Sequence, residues 1–211
     1  MRKIFAILLT ICLIIGLTAC SGGTSEEAAD TAKEQETTAE KQNEAPETDN
    51  SGSGDATLVV YFSATGNTRS VAEKIASITG ADTYEIKAAQ EYTDADLDWN
   101  DSDSRTTHEQ NDASARPEIG SDPVSLERYK TVYIGYPIWW GEEPRIMDTF
   151  VESYDFSGIT MIPFCTSSSS GIGRSGKNLA DNAKSGNWLE GARFSGSASE
   201  DELKSWIKGL K

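Results

Sequence analysis

From residue 57 onward the chain alternates short apolar runs with stretches whose apolar residues recur every three or four positions. That is the pattern of buried strands separated by amphipathic helices. Residues 57–62 read as a buried strand, and residues 68–77 as a helix that turns Val71, Ala72, Ile75 and Ile78 to one side. Gly80 ends that helix, and residues 82–86 form a second strand polar enough for a sheet edge. Residues 88–122 carry Asp, Asn, Ser and Thr around Tyr92, Leu97 and Trp99 without a period, so they read as a long irregular excursion. A short helix is expected over 123–128 and a central strand over 131–136. Pro144 opens a helix with Ile146, Met147, Phe150 and Val151 on its apolar face. A fourth strand over 159–165, a helix over 175–183 and a fifth strand within 188–194 follow. The last helix begins at a capping box, Ser199 to Glu202, and presents Leu203, Trp206, Ile207 and Leu210. Five strands alternating with helices predict a three-layer α/β/α sandwich.

The first 54 residues follow other rules. Residues 4–17 are a nearly unbroken apolar run behind Arg2 and Lys3, shorter than the roughly twenty residues a spanning helix needs, and they read as a signal-peptide core. Leu17-Thr18-Ala19-Cys20 resembles the bacterial lipoprotein box, which implies acylation of the Cys20 thiol after cleavage. The other reading is a simple secretion signal or retained anchor in which Cys20 is incidental. Residues 21–54 hold nine acids against two bases and no aromatic or large aliphatic side chain, so they cannot bury enough surface to fold. The expected layout is a leader at 1–19, a lipidated Cys20 with a disordered acidic tether at 20–54, and a folded domain at 55–211. This would place the domain outside the cytoplasm, anchored to the bacterial cell membrane.

Composition narrows the chemistry. The net charge of −15 argues against nucleic acid and anionic lipid as partners; it suits a basic protein partner, or simply solubility. With Cys12 in the leader and Cys20 at the anchor, Cys165 stands alone in the domain, so no disulfide framework and no Cys/His metal spacing exist there. Cys165 ends an apolar strand and reads as a buried packing residue. His108 lies in the irregular excursion and is expected to be exposed, without a role.

Three segments carry candidate chemistry. Ser63-Ala64-Thr65-Gly66-Asn67-Thr68 lies between the first strand and first helix, where hydroxyls, an amide and a Gly-opened backbone make a phosphate cradle. It lacks the Lys of the GxxxxGK[ST] loop and the three glycines of the dinucleotide turn. Pro137-Ile138-Trp139-Trp140-Gly141 follows the third strand, and Thr166 through Gly171, with Ser167 and Ser168, follows the fourth. In a doubly wound sheet all three would meet outside the carboxyl ends of the strands. No Gly-x-Ser-x-Gly elbow accompanies the serine tract, which excludes the usual serine hydrolase arrangement.

On these three motifs, in this order, the chain resembles the flavodoxin family over residues 55–211. The resemblance implies a five-stranded parallel sheet of order 2-1-3-4-5 and a noncovalent FMN. It assigns the FMN phosphate to Ser63, Thr65, Gly66, Asn67 and Thr68, held without a countercharge. Pro137, Ile138, Trp139, Trp140 and Gly141 would carry the ring, with Trp139 or Trp140 stacking on it. Thr166, Ser167, Ser168 and Gly171 would offer main-chain groups to its pyrimidine edge. Thr79-Gly80-Ala81 lacks the hydroxyl residue that covalent attachment would need at position 82, where Asp stands. The expected function is electron transfer, as a carrier to a redox partner protein or as a reductase of a small acceptor. A ligand-binding or interaction module without redox chemistry is the alternative. The excursion at 88–122 would serve as a lid over part of the flavin or as glue for a surface segment.

Overall fold

The computed structural model describes residues 55–210. The expected leader, Cys20 and tether lie outside the described residues. The elements in chain order are β1 (Ala56–Phe62), α1 (Asn67–Thr79), β2 (Asp82–Ile86), α2 (Arg105–Asn111), β3 (Tyr129–Pro137), α3 (Arg145–Glu152), β4 (Thr160–Thr166), α4 (Ser175–Ala183), β5 (Asn187–Trp188), β6 (Ala192–Phe194) and α5 (Glu200–Gly209). The sheet runs β2-β1-β3-β4-β5 with β6 also on β4, and every strand pair is parallel. This is the three-layer flavodoxin-like sandwich and the strand order 2-1-3-4-5 that the resemblance implied.

The strand pleat divides the core in two. On β1, Leu58, Val60 and Phe62 face one layer with Ile134, Tyr136, Ile146, Met147, Phe150 and Leu179. Val59 and Tyr61 face the other, with Val71, Ala72, Ile75, Ile162 and Leu203. Successive side chains of a strand point to opposite faces, so a run apolar at every position is what a sheet covered on both sides requires. Cys165 is fully buried in the first layer, and burial pushes its thiol up to about 12, as a packing residue should behave. His108 is exposed. Ser199 caps α5 as the spacing predicts, its Oγ accepting from the Glu202 amide at 3.2 Å.

Three expectations need correction. Residues 123–128 form no helix: Leu126 is buried in the core, the Val124 amide donates to the Tyr154 hydroxyl at 3.1 Å, and Tyr129 N closes a turn onto Leu126 O. Packing outweighs helix formation in so short a segment. A helix instead lies inside the excursion, as α2, whose buried residues are Thr106, Thr107 and Gln110. A helix that buries a polar face leaves no hydrophobic period to read. The fifth strand is broken into β5 and β6, which pair with opposite ends of β4.

The excursion is closed at its base and tied to the body. Ala88 bridges Ile119, the Ala89 amide donates to Glu118 O at 2.9 Å, and the Gly120 amide to Lys87 O at 2.7 Å. Arg116 pairs with Glu152 on α3 at 2.7 Å.

Candidate functional site

The site begins where β1 stops and α1 starts. Gly66 is the N-cap of α1 at φ +85°, a left-handed conformation that a residue with a Cβ adopts only under strain. It has no side chain to cap the helix, and of the first-turn amides only that of Arg69 has a side-chain acceptor, so those of Asn67 and Thr68 remain at the positive end of the helix dipole. That acceptor is Ser63, whose Oγ takes the Arg69 amide at 3.2 Å. Asn67 Nδ2 donates to Thr65 Oγ1 at 3.1 Å across the mouth of the loop. The Arg69 guanidinium, which stands in this first turn, is drawn away to Glu85 at 2.5 Å. The loop therefore presents amides and hydroxyls, with its nearest cation already paired.

Thr68 is 1% exposed, and its hydroxyl shares a hydrogen bond of 2.8 Å with the hydroxyl of Thr166. That contact joins the first loop to the third across 98 residues. Two hydroxyls sharing one bond retain a second hydrogen to donate. Thr166 O also accepts from the Ile138 amide at 3.0 Å, so the third loop and the second are stitched together at their origins.

The second loop is a tight reversal. Trp139 N donates to Glu142 O at 2.9 Å and Glu142 N to Trp139 O at 3.0 Å, while Trp140 has φ +49° and Gly141 φ +87°. Two central residues with positive φ are the mark of a type I′ turn. Gly141 suits that conformation, and Trp140 is strained in it. The two indoles separate: Trp139 packs edge-on against Phe62 at 5.6 Å and Tyr92 at 5.3 Å, whereas Trp140 is 43% exposed. A cavity of about 360 Å³ opens here, lined by Thr65, Leu97, Trp99, Thr106, Ile138, Trp139 and Trp140. The excursion thus supplies one wall through Leu97, Trp99 and Thr106. Tyr92 does the gluing: it stacks under the Arg105 guanidinium at 4.1 Å, bonds Glu109 at 2.7 Å and meets Phe62 at 5.7 Å.

The third loop is governed by a residue that carries no signal in the sequence pattern. Arg193 on β6 donates from Nη2 to Ser167 O at 2.6 Å and Ser168 O at 2.5 Å, and from Nε to Ser167 Oγ at 3.2 Å. Ser167 N donates to Phe194 O at 3.2 Å. The carbonyls of Ser167 and Ser168 are therefore spent on a guanidinium, which leaves the amides of the exposed tract through Gly171 to face a ligand. No carboxylate pairs with Arg193 among the described residues, so the loop rests on an unneutralised cation.

Behind the second loop lies a buried polar cluster. Glu143 is 1% exposed; its Oε2 accepts from Asn178 Nδ2 at 3.3 Å, and burial lifts its carboxyl to about 7. Asp148 is also raised by burial, against the pull of Asn182, Arg116 and Arg145. Arg145 reaches Glu142 at 3.0 Å and Asp148 at 3.5 Å, and donates to Gln110 O at 3.1 Å. Gln110 Nε2 donates to Trp139 O at 3.1 Å and Glu143 O at 3.2 Å.

The structure gathers Thr65, Ile138, Trp139 and Trp140 around one cavity. Ser63 instead lines an adjoining polar cavity of about 300 Å³ with Arg69, Glu85, Lys87 and Glu91. Gly66, Asn67 and Thr68 frame the helix N-terminus, Pro137 ends β3, and Thr166 braces the loops from below. Gly141 stands near Gly173, where a Cβ would come within 3.5 Å of Gly141 O. Ser168 and Gly171 remain exposed at the outer side. Sequence reasoning did not select Gln110, Glu143, Arg145 or Arg193. Their one legible trace is charged and amide residues in strongly apolar surroundings, as in Glu143-Pro144-Arg145 before Ile146-Met147.

A family model described as Flavodoxin matches residues 56–210. A provisionally named flavoprotein from Bacteroides uniformis ATCC 8492 is 48% identical, with 74% of this chain and 99% of that one covered and a TM-score of 0.70. Its counterpart from Bacteroides eggerthii DSM 20697 is 43% identical, covers 74% and 97%, and has a TM-score of 0.69. A flavoprotein from Lactobacillus acidophilus NCFM, solved in complex with FMN, is 24% identical over 72% and 99% at a TM-score of 0.57, a likeness of fold. No curated protein matches the chain.

Proposed function

Because the chain belongs to the flavodoxin family, we propose that it binds FMN noncovalently and transfers electrons, as a carrier or as a reductase of a small acceptor, on a domain tethered to the outside of the cell membrane. The observation that carries the reading is the continuity of two features. A helix N-terminus with Gly66 as a left-handed N-cap that has no side chain shares Thr65 with an aromatic-walled cavity of about 360 Å³. A phosphate ester at one end and a flat ring at the other is what such a pair of sites accepts. The flavoprotein of similar fold solved with FMN supports the choice of cofactor.

The donor set fits the group. First-turn amides, Thr65 and Asn67 would hold the phosphate by hydrogen bonds and the helix dipole, with Thr68 and Thr166 fixing the loop from below. Trp140, half free, would lie along the ring while Trp139 stays locked against Phe62 and Tyr92. Amides of the tract after Ser167 would meet the pyrimidine edge, and Arg193 beneath them would favour negative charge there. Leu97 and Trp99 would exclude water from one side of the ring. Bound FMN supplies one-electron and two-electron transfer at its isoalloxazine ring. Trp99, 74% exposed at the rim, favours the reductase, because it offers a small planar acceptor an apolar surface to lie on.

The test is the visible spectrum of the purified chain after incubation with FMN and gel filtration, followed by stepwise reduction. Flavin absorption that travels with the protein supports the assignment. Two resolved one-electron steps mark a carrier and a single two-electron step a reductase. A colourless protein that takes up no flavin would move the reading to a non-redox binding module. Membrane tethering rests on the Leu17 to Cys20 box alone: Cys20→Ser should release the protein into the soluble fraction, and a variant that still sediments with membranes would contradict the lipid anchor.

A further inference from the structure

Helix α2 sends one buried amide into the back of the second loop. Gln110 is 8% exposed, and its Nε2 donates at once to Trp139 O and Glu143 O, at 3.1 and 3.2 Å. Those carbonyls stand on either side of Trp140 and Gly141. The two bonds fix the amide's orientation, since the flipped group would set an oxygen against two carbonyl oxygens. Trp139 O also accepts from Glu142 N at 3.0 Å, so the Gln110 bond takes the second lone pair of the very carbonyl that closes the turn. From the other side Arg145 Nη2 ties Gln110 O and the Glu142 carboxylate together at 3.1 and 3.0 Å.

The turn so bracketed holds Trp140 at φ +49°, a conformation that persists for a bulky residue only where its surroundings over-determine it. The clamp is not optimised for stability. Gln110 Oε1, Glu143 Oε1 and Arg145 Nε are all buried without a hydrogen-bond partner among the described residues, and unpaired buried polar atoms disfavour the fold. Violations of local rules of this kind concentrate where geometry serves a site.

We propose that Gln110 is a positioning residue for the cavity wall: through the Trp139 and Glu143 carbonyls it holds the 139–142 turn in its left-handed form, so that the Trp140 indole stands ready for the ring before the cofactor arrives. What is positioned rests on the FMN reading, while the clamp is a property of the chain alone. The excursion is then a brace for the ring loop as well as a wall of the cavity.

Gln110→Met, which keeps the length and removes the amide, tests this in the purified full chain. Hydrogen exchange is read at the amides of Trp139 and Glu142, the two donors of the turn. They should exchange at least tenfold faster in the variant without FMN, while the amides of β1, β3 and β4 keep their protection. FMN should dissociate about tenfold more readily and the flavin midpoint potential should shift. Gln110→Glu should behave like Gln110→Met at alkaline pH and recover part of the turn protection at acid pH, where the neutral acid can donate one bond. Unchanged exchange at the turn would overturn the proposal. So would acceleration spread evenly over the sheet, which marks a merely structural pin, or a loosened turn with unaltered FMN affinity and potential. If wild type binds no FMN yet the turn responds to Gln110→Met, the clamp stands and the cofactor reading fails.

Discussion

The loop after β1 and the loop after β3 both face the same cavity, but they are held in place by different means. The first is built from six consecutive residues: a strand ends, Gly66 turns left-handed, and a helix begins with only its Arg69 amide held by a side chain. Its internal bonds, Thr65 to Asn67 and Ser63 to Arg69, span two and six residues. The second is held from a distance. Gln110 grips it from 29 residues upstream, Arg145 links the gripping residue to Glu142, and Tyr92 wedges Trp139 in place. The first loop's turn is thus set within its own sequence, with one long-range bond, Thr68 to Thr166, bracing it from below. The second loop's strained Trp140 needs neighbours that other segments bring.

Changes that act on binding alone in the first loop and on stability in the second would sharpen this contrast. The largest effect is expected from Thr65→Glu. Thr65 is exposed, so the fold should be indifferent, but a carboxylate at about 4–5 Å from a phosphate repels it by ~4 kcal/mol in a partly screened site. Equilibrium dialysis should show FMN affinity down about a thousandfold with an unaltered denaturation midpoint. A midpoint that drops in parallel would mean the loop is not self-contained.

Arg145→Met strikes the second loop from behind. It leaves Asp148 and Gln110 O without their buried cation, and removing one member of such a set costs about 3–5 kcal/mol. Urea unfolding should show this in the chain without FMN, unlike Thr65→Glu. A loss below ~1 kcal/mol would imply that the turn stands unaided.

Glu143→Gln probes the same cluster through pH. The folded carboxyl titrates near 7, above its ordinary value of 4.5, because burial disfavours the charged form. Between those values the unfolded chain has lost a proton that the folded chain keeps, so stability falls as pH rises through the window and levels off above about 7. The variant should flatten that slope and be more stable than wild type at pH 8 by ~2 kcal/mol. An unaltered profile would show that Glu143 stays charged throughout.

The smallest effect separates strain from function. Trp140→Asn places before Gly141 a residue at ease in the left-handed region, the favoured pair of a type I′ turn. Unfolding without FMN should be harder by about 0.5–1 kcal/mol, while the lost indole weakens FMN binding about tenfold. Equal or lower stability would place the strain elsewhere.

Much of the fold was legible because burial in a covered parallel sheet leaves apolar runs, and helices packed on it leave a period. β1, β3, β4, α1, α3 and α5 each carry one of these signals. The excursion carries neither. The buried residues of α2 are Thr106, Thr107 and Gln110, so its helix is held by the Ser104 cap and by polar contacts that have no characteristic spacing. The expected helix at 123–128 failed for the opposite reason, since Leu126 packs into the core from an irregular segment that closes in a turn before β3. β5 and β6 meet β4 at its two ends, and a run of mixed residues at 187–194 gives no hint of the break.

By itself, then, the sequence determined the sandwich, the three loops at its carboxyl edge and the first loop's ability to receive an anion, because each follows from residues close together in the chain. Only the tertiary structure decided which indole is locked and which is free, that Arg193 underlies the third loop, and that Gln110 and Arg145 brace the second. Hydrogen bonds and ion pairs between segments depend on distances that folding creates, and they leave no periodic mark on the chain that makes them.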